Sequence, residues 1–263
     1  MSTSRKPRLA VYKFASCDGC QLSLLDCEDE LLDIAGEIEI AYFMEARSQT
    51  LPGPYDLTLV EGSVTTEEEI ERIEEVRRLS RFLVPIGACA TAGGIQSLRN
   101  WADVEDYVSI VYPNPEYIKT LKTSKPISDY VEVDYELPGC PISQEQLLEL
   151  ITSLLIGRQP RLPAHTVCRD CKSRGTVCIT VAQGIPCLGP VTRTGCGAIC
   201  PAYNRGCYGC FGPIDDGNPI SLGEHFLALG YSGDQVARHF RNFNGYSPMF
   251  REASDYFEGK DND

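Results

Sequence analysis

No apolar run in this 263-residue chain approaches the roughly 20 residues needed to cross a bilayer, so a membrane-spanning class is set aside. Positive charge is also scarce. The chain holds 24 Lys and Arg against 37 Asp and Glu, a net charge of −13. Nucleic acid and anionic membrane surfaces would be repelled, and no basic stretch interleaved with aromatics offsets this. The opening Met-Ser-Thr-Ser-Arg-Lys-Pro-Arg has no apolar core and no small-residue cleavage site. It reads as neither a secretory signal nor a twin-arginine leader, and the expectation is a cytoplasmic protein. A phosphate-binding loop is missing too. Residues 87–94 are glycine-rich but have neither GxGxxG spacing nor a P-loop lysine. The three histidines, His165, His225 and His239, have no ligand partners at recognisable spacing and read as solvated or packing residues.

What the chain does have is cysteine, thirteen of them in two tiers. The first tier is spread out: Cys17-Asp-Gly-Cys20, then Cys89, then Cys140 in Leu-Pro-Gly-Cys-Pro. The second is dense: Cys168, Cys171, Cys178, Cys187, Cys196, Cys200, Cys207 and Cys210. Twelve of these sort into sets of four, the number that a cubane iron–sulfur cluster or a structural zinc requires. In a reducing compartment disulfides are disfavoured, so cysteines at ligand spacing point to metal. Cys27 stands outside the sets and reads as a buried thiol on the helix after the first pair.

Residues 1–157 alternate strand and helix signals. Strands are expected at Leu9–Phe14, Ile38–Met44, Tyr55–Val60, Arg81–Ile86 and Val131–Tyr135. Helices are expected at Gln21–Ile34, Glu67–Ser80 with Thr66 and Glu69 as a capping box, about Gly94–Asn100, and Ser143 to about Ile156. Residues 101–130 read as loop-rich. This alternation predicts an α/β fold, a doubly wound parallel sheet with helices on both faces. Cys17, Glu61, Cys89 and Cys140 then fall just past strand carboxyl ends, the ligand edge of such a sheet. Residues 158–165 read as a linker. Beyond it, from 166 to 219, Gly, Pro and Cys dominate, and metal would have to hold that segment together. Helices follow near Ser221 and Gly233–Phe243, and the tail Glu258–Asp263 reads as polar and frayed.

Cys17-x-x-Cys20 alone could be a redox dithiol or part of a zinc site. Cys89 and Cys140 at the same edge favour a four-thiolate cluster. The second tier could be a zinc ribbon, but its spacing is irregular and Cys200-Pro201 matches the Cys-Pro that closes a bacterial ferredoxin run. Glu61 reads either as a group behind the ligands or on a proton path, or as a solvated turn carboxylate.

In combination, Ser16-Cys-Asp-Gly-Cys20, Val60-Glu-Gly62, Gly87-Ala-Cys-Ala-Thr-Ala-Gly-Gly-Ile-Gln96, Leu137-Pro-Gly-Cys-Pro141, Cys187-Leu-Gly-Pro-Val-Thr-Arg-Thr-Gly-Cys196 and Cys207-Tyr-Gly-Cys210 resemble the motifs of the small, electron-transfer subunit of nickel–iron hydrogenases. The resemblance covers about residues 8–215. It implies a flavodoxin-like domain over 1–157 and a small irregular iron–sulfur domain with C-terminal helices over 158–263. It also implies three 4Fe–4S clusters and no catalytic residue in this chain. The proximal cluster would use Cys17, Cys20, Cys89 and Cys140. The distal would use Cys168, Cys171, Cys178 and Cys187, and the medial Cys196, Cys200, Cys207 and Cys210. Where the periplasmic branch has a distal histidine, this chain has Cys168. Where that branch has a medial proline, this chain has Cys200, so all three clusters are expected to be four-iron cubanes. Gly19 and Gly94 stand where the oxygen-tolerant membrane-bound branch has cysteines, and Ser16 replaces a glutamate of the periplasmic branch.

These features look most like the cytosolic bidirectional group, of the sulfhydrogenase or NADP-reducing type. The implied partners are a nickel–iron large subunit, a flavin-containing NAD(P)-binding diaphorase subunit and a further iron–sulfur subunit. The chain lacks the paired Cys-x-x-Cys motifs that hold nickel and iron in the large subunit. Two alternatives stay open: the small subunit of a deazaflavin-reducing or heterodisulfide-reductase-linked hydrogenase, and a zinc-stabilised interaction module. The quinone-oxidoreductase relative is disfavoured, because it has adjacent cysteines at the first motif and lacks the second tier.

Overall fold

The computed structural model describes residues 5–27 and 36–260. Four parallel strands form the sheet: β1 Arg8–Lys13, β2 Glu39–Phe43, β3 Tyr55–Glu61 and β4 Ser80–Ile86, in the order β2-β1-β3-β4. Chain order reverses between β1 and β3, so the crevice at their carboxyl ends is the switch point of a doubly wound sheet.

Alternation along β1 explains why both faces are covered. Leu9 and Val11 point to one side, where they join Leu57, Leu59, Val84 and Ile86 under helices α1 (Gly19–Leu25) and α5 (Gln144–Leu155). Ala10 and Tyr12 point to the other, with Val60 and Leu83 under Ile73 and Val76 of α2 (Glu67–Leu79). With apolar cover on both sides, the strands carry apolar residues almost without interruption. Helix α2 begins as its sequence signature predicts. Thr66 caps the Glu69 amide, and the Glu69 carboxylate returns to the Thr66 N–H at 3.1 Å.

Several expected elements differ. Helix α3 (Gly87–Ala92) starts directly off β4, and Ile95–Trp101 is a tighter 3-10 turn instead of the α-helix expected at about 94–100. The stretch read as loop holds α4 (Val104–Val111), capped by Asp103. Residues 131–135 form no strand. The segment still follows the outer edge of β4: Asp134 N–H donates to Leu83 O at 3.0 Å and Leu137 N–H to Pro85 O at 3.0 Å. Leu83 and Pro85 share that edge, and Pro85 offers no N–H, so a regular ladder cannot form. A single parallel bridge, Ile86 to Leu137, remains. The first expected helix runs partly through residues 28–35, outside the described residues.

After α5 the chain passes residues 158–165 without helix or strand. The cysteine-rich stretch forms three short helices, α6 (Val167–Ser173), α7 (Ile179–Gln183) and α8 (Ile199–Ala202). Three helices follow: α9 (Pro219–Ala228), α10 (Gly233–Phe240) and α11 (Pro248–Phe257), the last not expected from periodicity. They enclose Phe226, Phe240, Phe250 and Phe257, and Leu188 and Val191 of the cysteine-rich stretch pack into the same core. Trp101 ties this unit to the first: its Nε1 donates to Asp255 at 3.1 Å, and the Arg241 guanidinium lies 4.8 Å from its ring.

His239 packs edge-on against Phe226 with ring centroids 5.6 Å apart, and its buried Nε2 has no hydrogen-bond partner. Burial lowers its pKa from the ordinary 6.5 to about 4. A depressed pKa gives stability that is complete above 6.5 and lost as pH falls through 4, because only the unfolded chain protonates readily. His239→Phe should therefore flatten the acid loss of stability across that window by up to roughly 3 kcal/mol. Urea titrations at pH 7 and pH 4 would measure it, and equal losses in parent and variant would sink the assignment.

Candidate metal–thiolate sites

The four spread-out cysteines meet at the switch point. Cys17 follows β1, and Cys20 lies in the first turn of α1, which begins after Asp18 turns the chain through φ 66°. Cys89 lies in α3, directly after β4. Cys140 ends the segment that follows the β4 edge. Backbone bonds tie these loops together: Phe14 N–H to Glu61 O at 2.7 Å, and Ala88 N–H to Gly139 O at 2.7 Å. Two glycines give room for sulfur. A Cβ at Gly87, where φ is 84°, would stand 2.4 Å from Cys20 Sγ, and one at Gly94 would stand 2.6 Å from Cys89 Sγ.

Burial pushes the Cys20 and Cys140 thiols up and Cys89 to about 11. Repulsion among the set adds to the rise: Cys20 feels Cys89 and Cys140, and both of those feel Cys17. Cys20, Cys89 and Cys140 are therefore neutral at pH 7 unless a cationic centre ionises them.

Glu61 is not a solvated turn carboxylate. It is 2% exposed, and its Oε1 accepts the Cys20 N–H at 2.9 Å. Burial raises its pKa. The Gln21 side chain lies beside it, yet Gln21 Nε2 and Glu61 Oε2 both lack a hydrogen bond of ordinary geometry. Gln96 closes one of the sequence motifs, and the structure gives it a role that the motif does not disclose. Its Nε2 donates to Ala15 O at 2.7 Å and Ser63 Oγ at 2.9 Å, while its Oε1 faces Cys89 Sγ at 3.6 Å. Nothing in local sequence marks this, because its partners lie 81 and 33 residues away.

Cys168, Cys171, Cys178 and Cys187 line one cavity of about 200 Å³, together with Val167, Ile179 and Leu222 among others. Cys168 and Cys171 are one turn apart on α6, hence on one face. A Cβ at Gly189 would sit 3.3 Å from Cys187 Sγ and 3.4 Å from Cys168 Sγ. Burial, then repulsion from Cys187, raises Cys168 to about 11. Two histidines lie near. His225 also lines the cavity. His165 Nε2 lies 2.9 Å from Asp170 Oδ1, and Thr194 Oγ1 donates to the other carboxylate oxygen. His239 is the packing residue described above.

Cys196, Cys200, Cys207 and Cys210 form the third group. Burial raises Cys207 to about 12 and pushes Cys210 and Cys200 up, each with repulsion from Cys196. This group lies near both others. Cys210 feels Cys140, and the Cys207 N–H donates to Cys187 Sγ at 3.1 Å. Cys27 takes no part in the three groups; it is buried just after α1, and its Sγ donates to Ser23 O at 3.3 Å.

Among the described residues, no group of three or more His, Cys, Asp or Glu side chains is set to hold a single metal ion. A tetrahedral zinc with bonds of about 2.3 Å draws its sulfurs to within about 3.8 Å of one another. A cubane is bulkier and leaves its thiolates further apart. An all-sulfur donor set suits either centre, and the hollows lined by Gly87, Gly94 and Gly189 leave room for the bulkier core.

The family described as the 20 kDa subunit of NADH ubiquinone oxidoreductase matches residues 17–154. Sulfhydrogenase 2 subunit delta of Pyrococcus furiosus is 36% identical over 236 residues, covering 90% of this chain and 98% of its own. A vhu subunit of the F420-non-reducing hydrogenase of Methanocaldococcus jannaschii is 34% identical, covering 79% of this chain and 82% of its own. A chain of an NAD+-reducing nickel–iron hydrogenase in the H2-reduced state superposes with a TM-score of 0.56 at 33% identity, over 60% of this chain and 96% of that one. The nickel–iron–selenium hydrogenase of Desulfomicrobium baculatum shares the fold, with a TM-score of 0.55 at 18% identity over 81% of this chain and 96% of that one. The chain belongs to this family, as a hydrogenase small subunit of the kind represented by the sulfhydrogenase delta subunit.

Proposed function

We propose that this hydrogenase small subunit is an electron relay with three 4Fe–4S clusters, set between the nickel–iron site of a large subunit and an NAD(P)-reducing diaphorase. The observation that carries the reading is the chain of three cysteine groups. Cys140 at the sheet edge lies close enough to the middle group for its charge to act on Cys210, and the middle group meets the outer one through Cys207 and Cys187. Bound there, such clusters take up and release single electrons.

In this reading Cys17, Cys20, Cys89 and Cys140 hold the proximal cluster, at the edge where the large subunit docks. Cys196, Cys200, Cys207 and Cys210 hold the medial one. Cys168, Cys171, Cys178 and Cys187 hold the distal one. Gly87, Gly94 and Gly189 keep space beside the sulfurs, and Gln96 and Glu61 fix the loops that carry Cys89 and Cys20. The domain division at 157/158 and a cytoplasmic location belong to the same proposal. No helix among the described residues is long and apolar enough to cross a membrane. An alternative acceptor, that of an F420-non-reducing or heterodisulfide-linked complex, is favoured by the 34% identity to the Methanocaldococcus jannaschii vhu subunit.

Three outcomes test the reading. Iron and acid-labile sulfide should each reach about twelve per chain, with zinc absent. A value near eight would remove one cluster, and a three-iron paramagnetic signal in the native oxidised complex would remove the role given to Cys200. Cys187→Ser should lower iron content and loosen residues 166–210 to proteolysis, whereas Cys27→Ser should leave both near the parent level. Equal iron loss in the two variants would overturn the sorting of cysteines. In the assembled complex, Cys178→Ser should reduce NAD(P)-linked activity more than dye-linked activity and largely spare hydrogen–deuterium exchange. A parallel fall of all three would exclude an outer position for that set.

A further inference from the structure

The middle cysteine group is held from outside by a residue that no motif marks. Asn244 lies in the turn between α10 and α11 and is 2% exposed. Its side-chain amide carries two hydrogens, and both go to one short turn. Nδ2 donates to Gly209 O at 2.9 Å and to Cys210 O at 2.8 Å. That turn is closed by Gly212 N–H donating to Gly209 O at 3.0 Å, with Cys210 and Phe211 at its centre. Asn244 is itself fixed in place. Its carbonyl accepts the Ser247 N–H at 3.0 Å and the Ser247 hydroxyl at 2.7 Å. A buried amide with both donors on two successive carbonyls sets the direction of those two peptide planes.

Each plane has a second end. Neither the Gly209–Cys210 nor the Cys210–Phe211 peptide is cis. In a trans peptide the N–H points opposite to the C=O. With both carbonyls turned to Asn244, the Cys210 and Phe211 N–H groups turn away from it. Among the described residues neither N–H has an acceptor, and Phe211 is only 4% exposed. A buried N–H without a partner is rare and calls for one. The neighbouring amides show which side the partner is on. Gly209 N–H donates to Cys207 Sγ at 3.5 Å, and Cys207 N–H to Cys187 Sγ at 3.1 Å. The backbone of this stretch aims its amides at sulfur.

We propose that Asn244 is a positioning residue for the middle four-thiolate site, turning the Cys210 and Phe211 N–H groups toward the sulfurs of the cluster held there and strengthening them as donors. The proposal rests on the relay reading and adds to it what sets the middle potential. The effect is electrostatic. A carbonyl that accepts from Asn244 polarises its own peptide, so the N–H at the other end becomes a stronger donor. One added electron makes the cluster more negative, and donors to its sulfurs then favour the reduced form and raise the potential. The electron comes from a neighbouring cluster and passes to the next, while Asn244 keeps all its hydrogens. The middle site is where such tuning counts most, because every electron crosses it in either direction. A middle potential far below its neighbours would stand as a barrier between them.

The test uses the purified hydrogenase complex, with potentials read by redox titration followed by EPR at pH 7. Asn244→Leu keeps the side-chain volume and removes both donors. It should lower the equilibrium constant for reduction of one cluster about threefold, ~28 mV for a one-electron couple, and leave the other two where they are. Ser247→Ala is the control. It loosens the same turn but keeps the Asn244 amide, so it should lower the Tm without moving any potential. Asn244→Ser retains one donor and should fall between Asn244→Leu and the parent; it decides if Asn244→Leu loses the cluster. A further measurement needs no variant. With nitrogen-15-labelled phenylalanine incorporated in the parent, pulsed EPR of the reduced complex should show a nitrogen-15 coupling on the same cluster, from the Phe211 amide. Unchanged potentials in the Asn244 variants, an equal shift in Ser247→Ala, or no such coupling would each overturn the positioning role while leaving the relay intact. Iron near eight per chain in the parent complex would instead strike the three-cluster relay itself.

Discussion

Bringing four thiols to one point at the sheet edge is the constraint on which the rest depends. Sulfur is large, and each loop that delivers it must approach the others without side chains in the way. The chain meets this with backbone ties between loops that are distant in sequence. Ala88 N–H to Gly139 O, at 2.7 Å, locks the Cys89 helix to the Cys140 turn. Gly87, between them, has no side chain because Cys20 Sγ lies where its Cβ would be. A parallel sheet supplies the frame: all its strand ends that matter face one way, so loops separated by more than a hundred residues share an edge.

The buried carboxylate of Glu61 shows how polar groups are handled at such an edge. One oxygen accepts the Cys20 amide, and the other makes no hydrogen bond of ordinary geometry. A cost of this kind is tolerated where position matters more than stability. The carboxylate orients the first turn of α1, which carries one of the four sulfurs.

Much of the fold is legible in the sequence. Strand positions for β1 to β4 follow from short apolar runs, and α2 from its capping box, because those signals are local. The edge segment at 131–135 reads as a strand and is not one, since its apolar residues mimic a strand while Pro85 on the neighbouring strand removes the donor a ladder needs. Helix α11 escapes periodicity because its buried positions, Phe250, Ala253, Ser254 and Phe257, include a small and a polar residue that hide the apolar stripe. At the sites, the cysteines announce themselves, but Gln96 and the burial of Glu61 do not. Their roles arise from contacts 33 to 81 residues away, which no local pattern encodes.

The phenylalanine core of the last three helices has a consequence for biosynthesis. Leu188 and Val191, next to Cys187, pack into the core built by Phe226, Phe240, Phe250 and Phe257. A nascent chain that has just exposed Cys210 outside the ribosome still lacks the wall against which that stretch closes. The sheet domain can fold early, since β1 to β4 and α5 are complete well before then. The second half closes only after those helices have been made, and a chain truncated before Phe250 would keep the hollow at the sheet edge while losing the wall behind Leu188 and Val191.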